Sequence, residues 1–124
     1  MTVIRSTDAR VTETPNGVMT TFASPTQGGT AASLWRVEVQ PGVTGPLHII
    51  DAEQIWTFVA GNVTISVDGE EIAVGEGDTA ILPANVTRQL TAGPDGFTAL
   101  VTAPGTALAS VPSGASGIAP PWIV

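Results

Sequence analysis

The sequence predicts an all-β domain, on three observations. Apolar residues recur at every second position in short runs, as in Leu34-Trp35-Arg36-Val37-Glu38-Val39 and Val63-Thr64-Ile65-Ser66-Val67, which is the period of a half-buried strand. Turn signals punctuate these runs: Pro15-Asn16-Gly17, Gly45-Pro46, Asp68-Gly69 and Gly93-Pro94-Asp95-Gly96, at the spacing of about 8–12 residues seen in sandwiches and barrels. No stretch holds a helical period over a useful length. With 43% hydrophobic residues the chain is too apolar for disorder, although it carries 14 glycines and 10 prolines.

Taken in order, Thr2 to Gly17 shows no sustained period, and Val18 to Ala23 is the first predicted strand, rich in β-branched and aromatic residues. Ser24 to Gly29 is a loop. Ala32 to Val39 follows as a strand that turns Trp35, Val37 and Val39 inward. Pro41-Gly42 and Gly45-Pro46 then break the chain twice before His48, the only histidine. Ile55 to Ala60 is a strand ended by Gly61-Asn62, and Val63 to Val67 is the next. Asp68-Gly69 is a type I′ hairpin signal that returns the chain through Glu70 to Val74. After the Gly75–Asp78 turn, Thr79 to Leu82 is expected as a short buried strand ending at Pro83. Val86 to Thr91 carries Arg88, Gly93 to Gly96 is a turn, and Phe97 to Thr102 is an apolar strand. The Ala-, Gly- and Pro-rich tail closes with Pro120-Pro121-Trp122-Ile123-Val124. That end is too apolar to sit free in water, so it is expected to pack on the barrel or on a neighbouring subunit.

Composition excludes several functions. There is no cysteine, hence no disulfide, thiolate nucleophile or zinc-thiolate site. A net charge of −7 with no lysine opposes nucleic-acid and anionic-membrane binding and removes lysine chemistry. Met1 to Arg10 has no apolar core of a secretory leader, and no apolar run is long enough to cross a membrane. A cytoplasmic location is expected. One domain over residues 1–124 is expected, with a core barrel at about 32–103 on which the first strand and the tail pack. No Gly-x-Ser-x-Gly elbow or spaced Ser/His/Asp set is present, so nucleophilic catalysis has no support.

The residues from about Leu34 to Val101 carry a resemblance to the cupins, small jelly-roll barrels. Gly42 and His48 stand at the first two marked places of the first cupin motif and Gly61 at its last. Gly77 and Pro83 match the second motif, with Asn85 at its second glycine and Arg88 at its histidine. Asn tolerates the left-handed backbone nearly as well as glycine, so the turn is kept. The resemblance implies a single cupin-type double-stranded β-helix of the RmlC-like kind. It also implies that the places of the metal ligands are taken here by His48, Ile50, Gln54 and Arg88. Ile50 cannot ligate, Gln54 offers a neutral oxygen, and Arg88 is a permanent cation that repels a divalent ion. No cofactor is therefore expected; His48 and Gln54 are the donors left to any weak metal. Asp51 and Glu53 lie nearby, but the two-residue period turns Gln54 inward and Glu53 outward.

The candidate pocket is His48, Ile50, Gln54, Trp56, Phe58 and Arg88, with Arg36 at its rim. Such a pocket is expected to take a small organic anion or phenolic metabolite without a metal. The alternative is a cyclase- or isomerase-type enzyme, an analogy to polyketide-tailoring and sugar-isomerising cupins, with His48 as acid or base and Arg88 stabilising an anion. Plain readings stand beside these. His48 can be a satisfied wall residue, Arg88 can pair with Asp51, Glu53 or Gln54, and Trp56 and Phe58 can be core. Arg36, Glu38, Glu70 and Glu71 read as solvated, and Asp78 as a turn residue. The resemblance also implies a homodimer, for which Val18–Ala23 and the Trp122 tail are the natural material.

Overall fold

A computed structural model describes residues 1–112 and 114–124. Nine strands follow a 3-10 turn at Ser6–Asp8: β1 (Arg10–Thr14), β2 (Gly17–Ala23), β3 (Ala32–Val39), β4 (His48–Ile50), β5 (Gln54–Val67), β6 (Glu70–Gly75), β7 (Thr79–Leu82), β8 (Thr87–Pro104) and β9 (Ala109–Ser110). Every strand pairing is antiparallel. The ladder runs β1-β2-β3-β8-β4-β9, and β5 joins it at β8 while also pairing with β6 and β7. The sheet curls into a jelly-roll barrel, all-β as the alternation predicts. Among the described residues no helix is long and apolar enough to cross a membrane.

Two long strands organise the barrel, where shorter ones joined by turns were expected. Gly61-Asn62 does not end a strand. β5 runs through it, and the register with β8 shifts between Phe58 and Ala60 and again between Gly61 and Val63. Gly61 adopts φ +76, a value that glycine reaches without steric penalty. The inserted residue flips the inward phase: Gln54, Trp56 and Phe58 are buried before it, Val63 and Ile65 after it. Likewise β8 spans the Gly93–Gly96 segment, which bulges out of its pairing between Ala92 and Phe97.

Elsewhere the local signals act as their chemistry dictates. Trp35 and Val37 are buried and Val39 half-buried, while Leu34 and Glu38 face out. Asp68 and Gly69 both have positive φ (49 and 82), as a type I′ turn requires. Asn85 takes φ 63 in the left-handed region. Three expectations change. A strand, β1, lies in the stretch without sustained period. β2 is flanked by β1 and β3, so Val18–Ala23 is not an exposed edge. β7 is buried on one face only: it pairs only with β5, and Ile81 is 62% exposed while Leu82 is 3% exposed.

The tail is part of the barrel. β9 pairs with Ile49 and Ile50 of β4, and Ala109 bridges Ile118. Ile123 is 1% exposed within the core and Trp122 packs against it. Buried hydroxyls hold this segment down. Thr21 Oγ1 donates to the Trp122 carbonyl at 2.8 Å, and Ser33 Oγ donates to that of Ile123. The Val124 backbone oxygen accepts from Ser24 Oγ, Thr26 Oγ1 and the Arg10 guanidinium.

Candidate functional site

The barrel holds a cavity of about 320 Å³ that is open to one side. Its apolar walls come from β3 (Trp35, Val37, Val39), from Leu90 and Phe97 of β8, and from the returning tail, Pro120 to Ile123. His48, Ile50, Gln54 and Trp56 also line it, which brings four of the six sequence-predicted pocket residues together. β4 and β5 deliver them by strand period: Ile50 and Gln54 are each 3% exposed on the inner face.

The other two stand behind the wall. Phe58 is fully buried, stacked on Trp56 at 6.1 Å and edge-on to Phe97 at 5.5 Å, and is core rather than lining. Arg88 is also fully buried and is not among the lining residues. Its Nε donates to the Val86 carbonyl at 3.1 Å, Nη1 donates to Gln54 Oε1 at 3.3 Å, and Nη2 donates to the Pro83 carbonyl. No carboxylate pairs with it; the sole ion pair among the described residues is Arg36–Glu38 at 2.8 Å. Burial pulls the Arg88 guanidinium below its ordinary value. A cation this enclosed, with its donors directed at protein oxygens, presents no free fork to a ligand.

His48 and Arg88 are directly opposed in the β4–β8 ladder. Pro46, its φ fixed by its ring, offers a carbonyl to His48 Nδ1 at 2.8 Å. A carbonyl only accepts, so Nδ1 carries the proton and Nε2 keeps its lone pair. Nε2 has no hydrogen-bond partner among the described residues. Burial holds the imidazole pKa below its usual 6.5; the Pro46 bond acts the other way, and the Arg88 charge adds to the lowering. His48 is thus a neutral base at pH 7, facing an apolar space.

The remaining candidates lie outside the cavity. Arg36 is on the outer face, paired with Glu38 and 5.6 Å above the Phe22 ring, not at the rim. Asp51 is exposed, and its Oδ1 accepts from the Leu108 amide at 2.7 Å, pinning the start of the tail. Glu53 is exposed. Asp78 Oδ2 accepts from the Gly75 amide at 2.9 Å, a turn role. The donor set does not fit a divalent metal. Gln54 Oε1 is already engaged by Trp56 Nε1 and Arg88, a buried cation adjoins it, and no cluster of three acidic, His or Cys ligands occurs among the described residues. The sequence reading missed Thr14, Asn16 and the tail as wall material. For the tail a signal existed in Trp122-Ile123; for Asn16, whose neighbours spell a turn, there was none.

The sequence profile of the cupin domain matches residues 35–101. No curated protein sequence matches the chain. Among solved structures it resembles oxalate decarboxylase from Bacillus subtilis, with TM-score 0.71 and 16% identity over 82% of this chain. The chain spans only 28% of that enzyme's length. An RmlC-like cupin from Shewanella frigidimarina gives TM-score 0.70 at 16% identity, covering 82% of this chain and 88% of that one. The polyketide cyclase RemF from Streptomyces resistomycificus gives TM-score 0.70 at 21% identity, covering 84% and 79%. At such identities the likeness is one of fold.

Proposed function

The chain belongs to the cupin family, and on that premise we propose that its cavity binds a small, mostly apolar metabolite through a phenolic or enolic hydroxyl, without a bound metal. The observation that carries this reading is the Nδ1–H to Pro46 bond of His48, which leaves Nε2 without a partner among the described residues, as an acceptor in a mostly apolar cavity. A neutral acceptor calls for a hydroxyl donor. Of the two ligand classes that the sequence suggests, the phenol is favoured over the organic anion, because Arg88 is enclosed and directed at protein oxygens.

Isothermal titration of 1-naphthol against naphthalene, using wild type and His48→Ala, tests this. Wild type should favour the naphthol and His48→Ala should erase the preference, a loss of about 1 kcal/mol for one neutral hydrogen bond. Equal affinities in both proteins would reject the reading.

A second reading is catalysis. A neutral imidazole with a free lone pair suits a general base, and the likeness to a polyketide cyclase makes cyclisation or isomerisation the reaction class to try. His48→Ala would then abolish turnover while sparing binding of a ligand without the hydroxyl. The homodimer belongs to the same proposal, but not through the segments named from sequence: β2 and the tail are occupied within the protomer. An apolar surface free for it is the outer face of β3, β8, β5 and β7, where Leu34, Leu100, Ile55 and Ile81 are exposed. Sedimentation at the 12.6 kDa of one chain would remove the dimer.

A further inference from the structure

Gln54 is 3% exposed, and its side chain is oriented by two donors at once. Trp56 Nε1 donates to Gln54 Oε1 at 3.1 Å and Arg88 Nη1 donates to the same oxygen at 3.3 Å. Neither donor can accept, so an amide turned the other way would set N–H against N–H from two sides. The oxygen is held toward Arg88. The amide nitrogen makes no hydrogen bond among the described residues, and Gln54 lines the cavity. Its two N–H groups are left for whatever the cavity holds.

We infer that Arg88 is a positioning residue that fixes Gln54 as a one-way donor, so that the cavity selects a ligand bearing a carbonyl acceptor as well as a hydroxyl. This rests on the reading of His48 as the hydroxyl's acceptor. The two groups share one neighbourhood. His48 opposes Arg88 across the β4–β8 ladder, and Arg88 reaches Gln54. The polar end of an apolar cavity thus offers one acceptor and one donor, each with its sense locked by a protein partner. A hydroxyaryl ketone satisfies both; a simple phenol would cover the amide N–H groups without pairing them, the costlier state.

The test uses matched probes, the three hydroxyacetophenones and the ethylphenols of the same ring substitution, which keep the hydroxyl and replace the carbonyl by a methylene. In wild type at least one ketone should bind more tightly than its ethylphenol, by roughly fivefold, the size of one neutral hydrogen bond. Gln54→Glu keeps shape and gives Arg88 a carboxylate partner, so the fold should be retained, but it removes the donor. The ketone preference should vanish. Arg88→Met should also reduce the preference, because one of the two locks on the amide is gone; a merely structural role would weaken both probes alike. A preference that survives Gln54→Glu overturns the donor assignment. One left undiminished by Arg88→Met overturns the positioning role. If wild type binds both probes equally, this inference fails and the cavity reading stands; if it binds neither, both fall.

Discussion

Replacing Gly61 by alanine places a Cβ where the backbone leaves no room. That atom would lie 2.0 Å from the Gly96 carbonyl oxygen and 2.8 Å from Phe97 Cα. The obstruction is main chain within the long β5–β8 ladder, so no side-chain rotation relieves it. The residue also sits at φ +76, which costs an L-residue about 1–2 kcal/mol. Forcing an extra methyl into a packed site adds about 1–3 kcal/mol. The sum, about 2–5 kcal/mol, is a large share of a domain's usual stability of about 5–15 kcal/mol. Gly69→Ala is the control. Its φ is +82, yet nothing lies within 4 Å of the new Cβ, so it should lose only the conformational part. Urea unfolding of both variants should show unchanged slopes and a lower midpoint for Gly61→Ala. With slopes of about 1–3 kcal/mol/M, the two midpoints should differ by roughly 1 M. Equal midpoints would refute the claim that the β5 bulge is held by contact with Gly96.

Other outcomes follow from the same geometry. Because burial lowers the His48 pKa below 6.5, the unfolded chain binds its proton more readily. The contribution of His48 is therefore complete above pH 6.5 and is lost as pH falls through the folded value. His48→Gln should remove that part of the acid loss in thermal melts, and identical pH profiles would contradict the half-buried, neutral imidazole. Ile123→Ala, at a site 1% exposed that also lines the cavity, should cost about 2–5 kcal/mol and weaken any cavity ligand; stability within 1 kcal/mol of wild type, by the same scale, would mean that the tail is not core. Tag-free protein purified without chelators should carry manganese, iron, nickel, copper and zinc at far below one equivalent per chain. Stoichiometric metal would show that Arg88 does not exclude it.

Fold class was readable because strand period and turn chemistry are local: Trp35 and Val37 declare their face, and Asp68-Gly69 its turn, without reference to the rest of the chain. The continuity of β5 and β8 was not readable. Gly61 and Gly93–Gly96 look like stops in isolation, and only the contact of one with the other converts them into paired bulges. The pocket was half legible for a similar reason. Period two aims Gln54 and Trp56 inward, but the depth of each is set by what lies across the barrel. Thus Phe58, of the same period, falls behind the wall. Arg88 likewise aims inward, and its burial depends on the Pro83 and Val86 carbonyls, which no pattern of side chains announces.

Three tryptophans and no tyrosine make up the intrinsic fluorophores of this protein, and Trp35, Trp56 and Trp122 all line the same cavity. They arrive from β3, from β5 and from the tail, so the indole emission of the whole molecule originates around one cavity. An occupant that quenches indole or accepts its excitation would meet all three, and none would be left elsewhere as constant background. The protein is built as its own optical reporter of occupancy, readable without a label.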